Sequence, residues 1–348
     1  MESKQNSGTP VLTNFWHFRT PIPIVDKEGH VVVLLTGRPA DENWDEVQEA
    51  VVALLKKIHI DCPEFDEGCH RRGDFPTLRC GVSHGQGHTQ PMNFVNCPMK
   101  QCALEELNSH PSFVRIAGFM NCMPHAFCTA CMANIPSAVL ATWAPKLHEH
   151  YVKNITSLFS HDNTLSCPFP WSIFPATTYN LGPQTTCTRH FNFANLAYSW
   201  CGIAALGRFD PMKGGHLVLW ELGLVVEFPP GSIVLIPSAV VSHSNTPIMP
   251  HEARYSVMQY TAGGIFRWVD CNFWTKETYL KSLKAKERAE MVEGGSWAVS
   301  SLTLCTRNVV PINYHSFFRK HWMPTIGKGF PPMWEYLRGL CFWAAHAR

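Results

Sequence analysis

His190-Phe191-Asn192, then His243 after residues 193–242, then Arg254-Tyr255-Ser256 after residues 244–253, is the stretch on which the fold turns. If each cluster sits on a β-strand, residues two apart share a face. His190 and Asn192 then point one way. Arg254 and Ser256 do the same, with Tyr255 and Val257 turned to the other side. A guanidinium and a hydroxyl on one interior face make a receptor for a carboxylate, because the arginine fork donates two parallel hydrogen bonds. Val234, Leu235, Ile236 and Val257 are expected to surround these groups and keep water out.

Two positions one residue apart, a distant histidine and an arginine soon after is also the order in which a jelly-roll barrel builds a non-haem Fe(II) site. Such iron asks for two imidazoles and a carboxylate on one face, with the other positions open. His190, Asn192 and His243 are the candidate ligands, and Asn192 stands where Asp or Glu is wanted. With 18 histidines in the chain, chance pairs are common, so the weight falls on the arginine and serine that follow. Asp210 is the carboxylate considered as a substitute third ligand. An intact His-x-Asp, His59-Ile60-Asp61, closes an amphipathic run and lacks the later His and Arg, so it reads as a helix terminus.

Composition bounds the rest. At 348 residues, 45% apolar and 16% charged, the chain reads as globular. Twenty-one Phe, 12 Trp and 26 Pro favour a β-rich, loop-rich body over a helical bundle. A net charge of +2 does not by itself announce nucleic acid. No N-terminal apolar leader and no membrane-length apolar run is visible, so the 14 cysteines read as reduced thiols and the location as intracellular. Nuclear residence would follow from DNA chemistry, although no basic targeting cluster is present. No phosphate loop, nucleophile elbow or kinase signature occurs.

Residues 1–29 read as a polar N-terminal segment. Gly29–Leu35 is a buried-strand run, and Trp44, Val47, Val51, Leu54 and Ile58 mark an amphipathic helix. Further helix is expected over Leu104–Asn108, beyond Ser112, and over Pro145–Leu158. Strands are expected at Thr178–Leu181, His216–Leu222, Leu224–Phe228, Ser232–Ile236, Arg254–Tyr260 and Ile265–Val269, with glycine and proline turns between them. A charged helix, Lys276–Met291, opens an irregular extension over 276–348. Cys128-x2-Cys131 with Cys122, and Cys69-His70 with Cys80, His84 and His88, have the form of partial zinc sites. Buried thiols and loop histidines are the alternative.

Several runs carry a resemblance to a known family. They are Cys187–His190 through Asn195, Ala204–Asp210, Lys213-Gly214-Gly215-His216-Leu217, Phe228-Pro229-Pro230-Gly231-Ser232, Ile236–Ala239, His243-Ser244-Asn245 and Gly263–Trp268. Upstream, Arg71-x-Gly73-Asp74-Phe75, Gly81–Gly87 and Gly37-Arg38-Pro39 fit as well. Together they resemble the TET/JBP branch of Fe(II)/2-oxoglutarate dioxygenases, and more closely its expanded set in basidiomycete fungi. The resemblance covers about residues 30–275, with the β-helix core at about 177–273. It implies an α+β, β-rich protein built on a double-stranded β-helix (jelly roll) with flanking N-terminal helices. It also implies Fe(II) and 2-oxoglutarate as cofactors and a methylated pyrimidine in DNA as substrate. His190 and His243 would bind iron, and Arg254 with Ser256 would hold the 2-oxoglutarate carboxylate. Asn192 breaks the pattern. The alternative is therefore a catalytically inactive relative that acts as a binding module. Neither a membrane nor a protein partner is implied.

Overall fold

The computed structural model describes residues 11–13, 21–26, 29–62, 71–85, 87–121 and 139–285, with Arg288. Among them the strands are β1 (Val11–Thr13), β2 (Ile22–Val25), β3 (Val31–Gly37), β4 (Thr77–Ser83), β5 (Met92–Asn93), β6 (Ala176–Asn180), β7 (Cys201–Arg208), β8 (Leu217–Leu219), β9 (Leu224–Val226), β10 (Ile233–Ile236), β11 (His243–Asn245) and β12 (Ala253–Tyr260). The helices are α1 (Trp44–Asp61), α2 (Pro98–Ser109), α3 (Pro111–Asn121), α4 (Val139–Trp143), α5 (Pro145–His161), α6 (Gly263–Asp270) and α7 (Lys276–Ser282).

The strands form an eight-stranded sheet, β2-β3-β10-β7-β12-β6-β4-β5, and a four-stranded sheet, β1-β9-β8-β11. From β6 onward the chain crosses repeatedly between the two sheets. β7, β10 and β12 return to the large sheet, and β8, β9 and β11 lie in the small one. That winding is a double-stranded β-helix, a jelly roll of antiparallel pairs. Among the described residues the sheets do not close into a barrel.

Strand parity divides the core. Val33, Leu35, Cys201, Ala205, Val234, Ile236 and Met258 point inward and pack on Leu217, Leu219, Leu224 and Val226 of the small sheet. Leu34, Ala204, Leu206, Ile233, Leu235, Tyr255 and Val257 point outward and are covered by helices α1, α3 and α5. Helix α1 supplies Trp44, Val47, Val51, Leu54, Leu55 and Ile58 to that outer layer. Its start is fixed by Trp44 Nε1, which donates to Gly231 O at 2.8 Å. Tyr151 of α5, wholly buried, donates to Trp200 O at 3.0 Å just before β7.

The structure departs from the sequence reading in several elements. Ile265–Val269 is helical, within α6, because a short apolar run does not distinguish strand from buried helix. The strand expected over His216–Leu222 stops at Leu219, and Trp220–Leu222 turns as a 3-10 helix ending in left-handed Gly223. The charged helix expected over Lys276–Met291 runs over Lys276–Ser282, breaks at the extended Leu283, and turns helical again where Arg288 N donates to Lys284 O at 2.9 Å, while residues 289–291 lie outside the described ones. The central strand β7 has no predicted counterpart. Its Cys-Gly-Ile-Ala-Ala-Leu-Gly-Arg sequence is buried on both faces and shows no polar alternation. Strands β1 and β2 also lie in residues 1–29, the segment read as polar.

Gly207 on β7 sits opposite Arg254 with φ of +131°. A Cβ there would lie 2.1 Å from Ala253 O, which is backbone and does not yield. Gly207→Ala is expected to cost at least about 2 kcal/mol in urea denaturation, from left-handed strain and this overlap.

Candidate functional site

Residues 182–200 contain no regular strand, contrary to the expectation that His190 and Asn192 share one. The loop is instead held to the sheets by single bridges, Gln184 to Arg254, His190 to His243 and Asn195 to Ala262. At the middle bridge His190 N donates to His243 O at 3.1 Å and His243 N donates back at 3.0 Å. This reciprocal pair brings the two histidines together across residues 191–242. Their ring centroids are 4.4 Å apart, with planes inclined by 55°.

Each ring is aimed by its own backbone. His190 Nδ1 lies 2.7 Å from Thr188 O, and His243 Nδ1 lies 3.1 Å from Val241 O. A carbonyl only accepts, so in both rings Nδ1 carries a proton, and in the neutral ring Nε2 carries the lone pair. This is the tautomer a metal-binding imidazole needs. Burial, with His190 alongside, lowers the His243 imidazole to about 4, so it is neutral at neutral pH. Glu221 steadies the start of β11 by accepting from Ser242 N, Ser242 Oγ (2.7 Å) and Arg189 (3.1 Å).

The third position does not match. Asn192 is half-buried, its N donates to Ser238 O at 2.8 Å, and its Nδ2 lies 3.6 Å from Met258 Sδ. Met258 lies on the inward face of β12, two residues beyond Ser256, so Asn192 reaches the same interior as Arg254 and Ser256. Asp210 gives no replacement carboxylate. It pairs with Lys213 at 3.0 Å and accepts from Met212 N at 3.0 Å in the turn after β7. Among the described residues no group of three His, Cys, Asp or Glu comes together.

Arg254 is 3% exposed, at the start of β12. Its Nη1 donates to Thr185 O at 3.1 Å and to Thr185 Oγ1 at 3.2 Å, and its Nε is buried without a hydrogen-bond partner. The guanidinium carbon lies 6.0 Å from the Phe209 ring centroid and 5.9 Å from that of Phe228. No described acid pairs with it. Burial lowers its pKa to about 10, with Cys187 acting in the opposite direction. Ser256, also 3% exposed, accepts from Asn180 Nδ2 at 2.8 Å, which leaves its own hydroxyl proton to donate. Of the four residues expected to enclose the site, Val234 and Ile236 do face inward. Leu235 and Val257 face the helices instead, because strand parity sends them to the other side.

Thr185, Asn180 and Met258 were not anticipated. Met258 follows from parity along β12, whereas Asn180 needs the β6–β12 register and Thr185 needs the path of the loop. Arg71–Phe75 of the glycine-rich segment docks on the His190 loop, with Thr188 N donating to Arg72 O at 2.7 Å and Arg71 Nη2 to Phe191 O at 3.3 Å. Arg71 also lies 4.8 Å over the exposed Phe193 ring.

Cys69, His70, Cys122, Cys128 and Cys131 lie outside the described residues. Cys80 is buried, its thiol is pushed up to about 12 by burial, and it bonds Asn108, so it acts as a core residue. His84 packs edge-on to Trp268 rather than joining a cysteine cluster. No described helix is long and apolar enough to cross a membrane.

The donor chemistry fits an organic carboxylate at Arg254 and Ser256, where a buried guanidinium nitrogen is left unpartnered. It falls short for Fe(II), since neutral Asn192 replaces the anionic oxygen that iron requires.

No protein-family model matches this chain, and no curated protein matches it. Among solved structures, NgTET1 in complex with 5mC DNA aligns at 15% identity over 73% of this chain and 82% of that one, with a TM-score of 0.44. A 2OG-Fe(II) oxygenase family oxidoreductase from Burkholderia pseudomallei aligns at 16% identity over 61% of this chain and 77% of its own, with a TM-score of 0.31. A Pseudomonas putida prolyl-4-hydroxylase gives 13% identity over 60% and 85%, with a TM-score of 0.25. Likeness at this level assigns no activity to this chain.

Proposed function

We propose that this chain is a 2-oxoglutarate-binding protein of the Fe(II)-dependent dioxygenase type, resembling the fungal TET/JBP-like branch. Arg254 and Ser256 seat the 2-oxoglutarate carboxylate, and His190, Asn192 and His243 stand at the positions of the metal face in enzymes of this type. A methylated pyrimidine in DNA is the substrate to which the resemblance points. The carrying observation is Arg254, a guanidinium 3% exposed, with an unpartnered Nε and no described acid beside it. A buried charge without a counter-ion is costly, so a ligand carboxylate is its natural partner.

The protein's own contribution is orientation and exclusion of water. Thr185 holds the guanidinium and Asn180 turns Ser256. The inward Val234 and Ile236 help keep the interior apolar. Bound Fe(II) with 2-oxoglutarate supplies the oxidising chemistry in enzymes of this type, and no step is assigned to it here because of Asn192.

A second reading, a non-catalytic binding module, is favoured by Asn192 itself, whose amide rests on the Met258 thioether. Anaerobic titration with Fe(II) and 2-oxoglutarate separates the two. A visible charge-transfer band in the native protein, followed by oxidation of a 5-methylcytosine oligonucleotide seen by mass spectrometry, is the result expected of an enzyme. A band in Asn192→Asp alone indicates the binding module. Absence of both the band and 2-oxoglutarate binding in either protein would refute the proposal.

A further inference from the structure

Resting on that reading of Arg254 and Ser256, we infer that the seat takes a dicarboxylate without a metal, so that the 2-oxo group adds nothing to affinity and glutarate binds as well as 2-oxoglutarate. Two buried polar atoms without partners flank Ser256. The donor among them is Arg254 Nε, two residues before Ser256 on the same face of β12, which a carboxylate can satisfy; the other, Asn180 Oδ1, is an acceptor and takes no part in holding one. Unsatisfied buried groups of this kind are rare in native folds and call for a ligand. The Ser256 hydroxyl accepts from Asn180, so its proton points to a further acceptor, as a carboxylate provides.

The 2-oxo group of such a ligand strengthens binding chiefly by chelating a metal, and a hard divalent metal is held more weakly when the oxygen donor of its site is a neutral amide than when it is a carboxylate. Here the donors are two imidazoles and an amide, none of them anionic, and no described carboxylate joins them. Arg254 stands in the same interior, 3% exposed and with no described acid beside it. Buried positive charge without negative donors disfavours a divalent cation and favours an anion. Affinity therefore comes from the carboxylate at Arg254 and Ser256, which both diacids share.

The test is calorimetric titration of the full chain with 2-oxoglutarate and with glutarate, first in EDTA and then with Mn(II). The expected result is two dissociation constants within about threefold of each other, unchanged by Mn(II). Ser256→Ala should weaken both ligands alike, and its melting temperature reports whether the fold survives. In Asn192→Asp, Mn(II) should tighten 2-oxoglutarate by at least about tenfold and leave glutarate unaffected. If native protein prefers 2-oxoglutarate by about tenfold or more, and only with Mn(II), metal-free binding is wrong while the carboxylate seat stands. If neither ligand binds native protein or Asn192→Asp under any condition, the seat itself is wrong.

Discussion

Arg254→Met is expected to abolish dicarboxylate binding while leaving the unliganded protein as stable as before, or more so. The binding loss should reach about 100-fold or more, since truncating one side of a buried charge pair costs roughly 2–5 kcal/mol. Stability should move the other way. The Arg254 pKa is lowered to about 10 by burial, so folding disfavours its charged form. For a base lowered on folding, that penalty is full below about pH 10 and fades as pH rises toward the unfolded value. Met fills the same space against Phe209 and Phe228 without a charge to desolvate. Thr185 O keeps a donor in Asn245 Nδ2 at 3.1 Å. A gain on the order of 1–3 kcal/mol in urea denaturation at neutral pH is the expected size. An ordinary structural arginine would show the opposite, a loss of stability. Thermal melts with and without 2-oxoglutarate check both halves in one experiment, because ligand should raise the native Tm and leave that of Arg254→Met unmoved.

The second large effect is gain of metal binding in Asn192→Asp. Replacing the amide by a carboxylate adds one negative charge and a hard oxygen next to two imidazoles already held in the metal-binding tautomer. Mn(II) affinity, followed by loss of the free Mn(II) electron paramagnetic resonance signal, should rise at least about tenfold. Without metal the same variant should melt lower than native, because a half-buried carboxylate beside a thioether has no counter-charge in contact. Added Mn(II) should reverse that loss, since metal that binds only the folded state stabilises it. Unchanged metal affinity would mean that residue 192 does not face the metal position.

Much of this site was legible because it depends on residue type and parity. Arg254 and Ser256 lie on a long regular strand, where a two-residue spacing guarantees a shared face. The same rule, applied to Leu235 and Val257, would have excluded them from the interior. His190 and Asn192 were harder, because their segment is a loop and alternation has no meaning there. What aligns His190 is one reciprocal backbone pair with His243, a contact between residues distant in sequence. Strand β7 escaped notice for a related reason. It is covered by helices on one side and by the small sheet on the other, so its sequence carries no amphipathic signal.

By itself, the sequence determined the chemistry available: two histidines, an amide where a carboxylate is wanted, and an arginine–serine pair on one strand face. The order of those positions and the family resemblance pointed to the jelly-roll class, which the short strands punctuated by glycine and proline suited without specifying. Only the tertiary structure decided that the two imidazoles meet, that their Nδ1 atoms face backbone carbonyls and that no other described carboxylate joins them. It also decided that Arg254 is buried beyond reach of any described acid. The physical reason is that residue type and spacing are local properties of the chain. Burial, counter-ions and ring tautomers are set by neighbours that arrive only when the sheets pair.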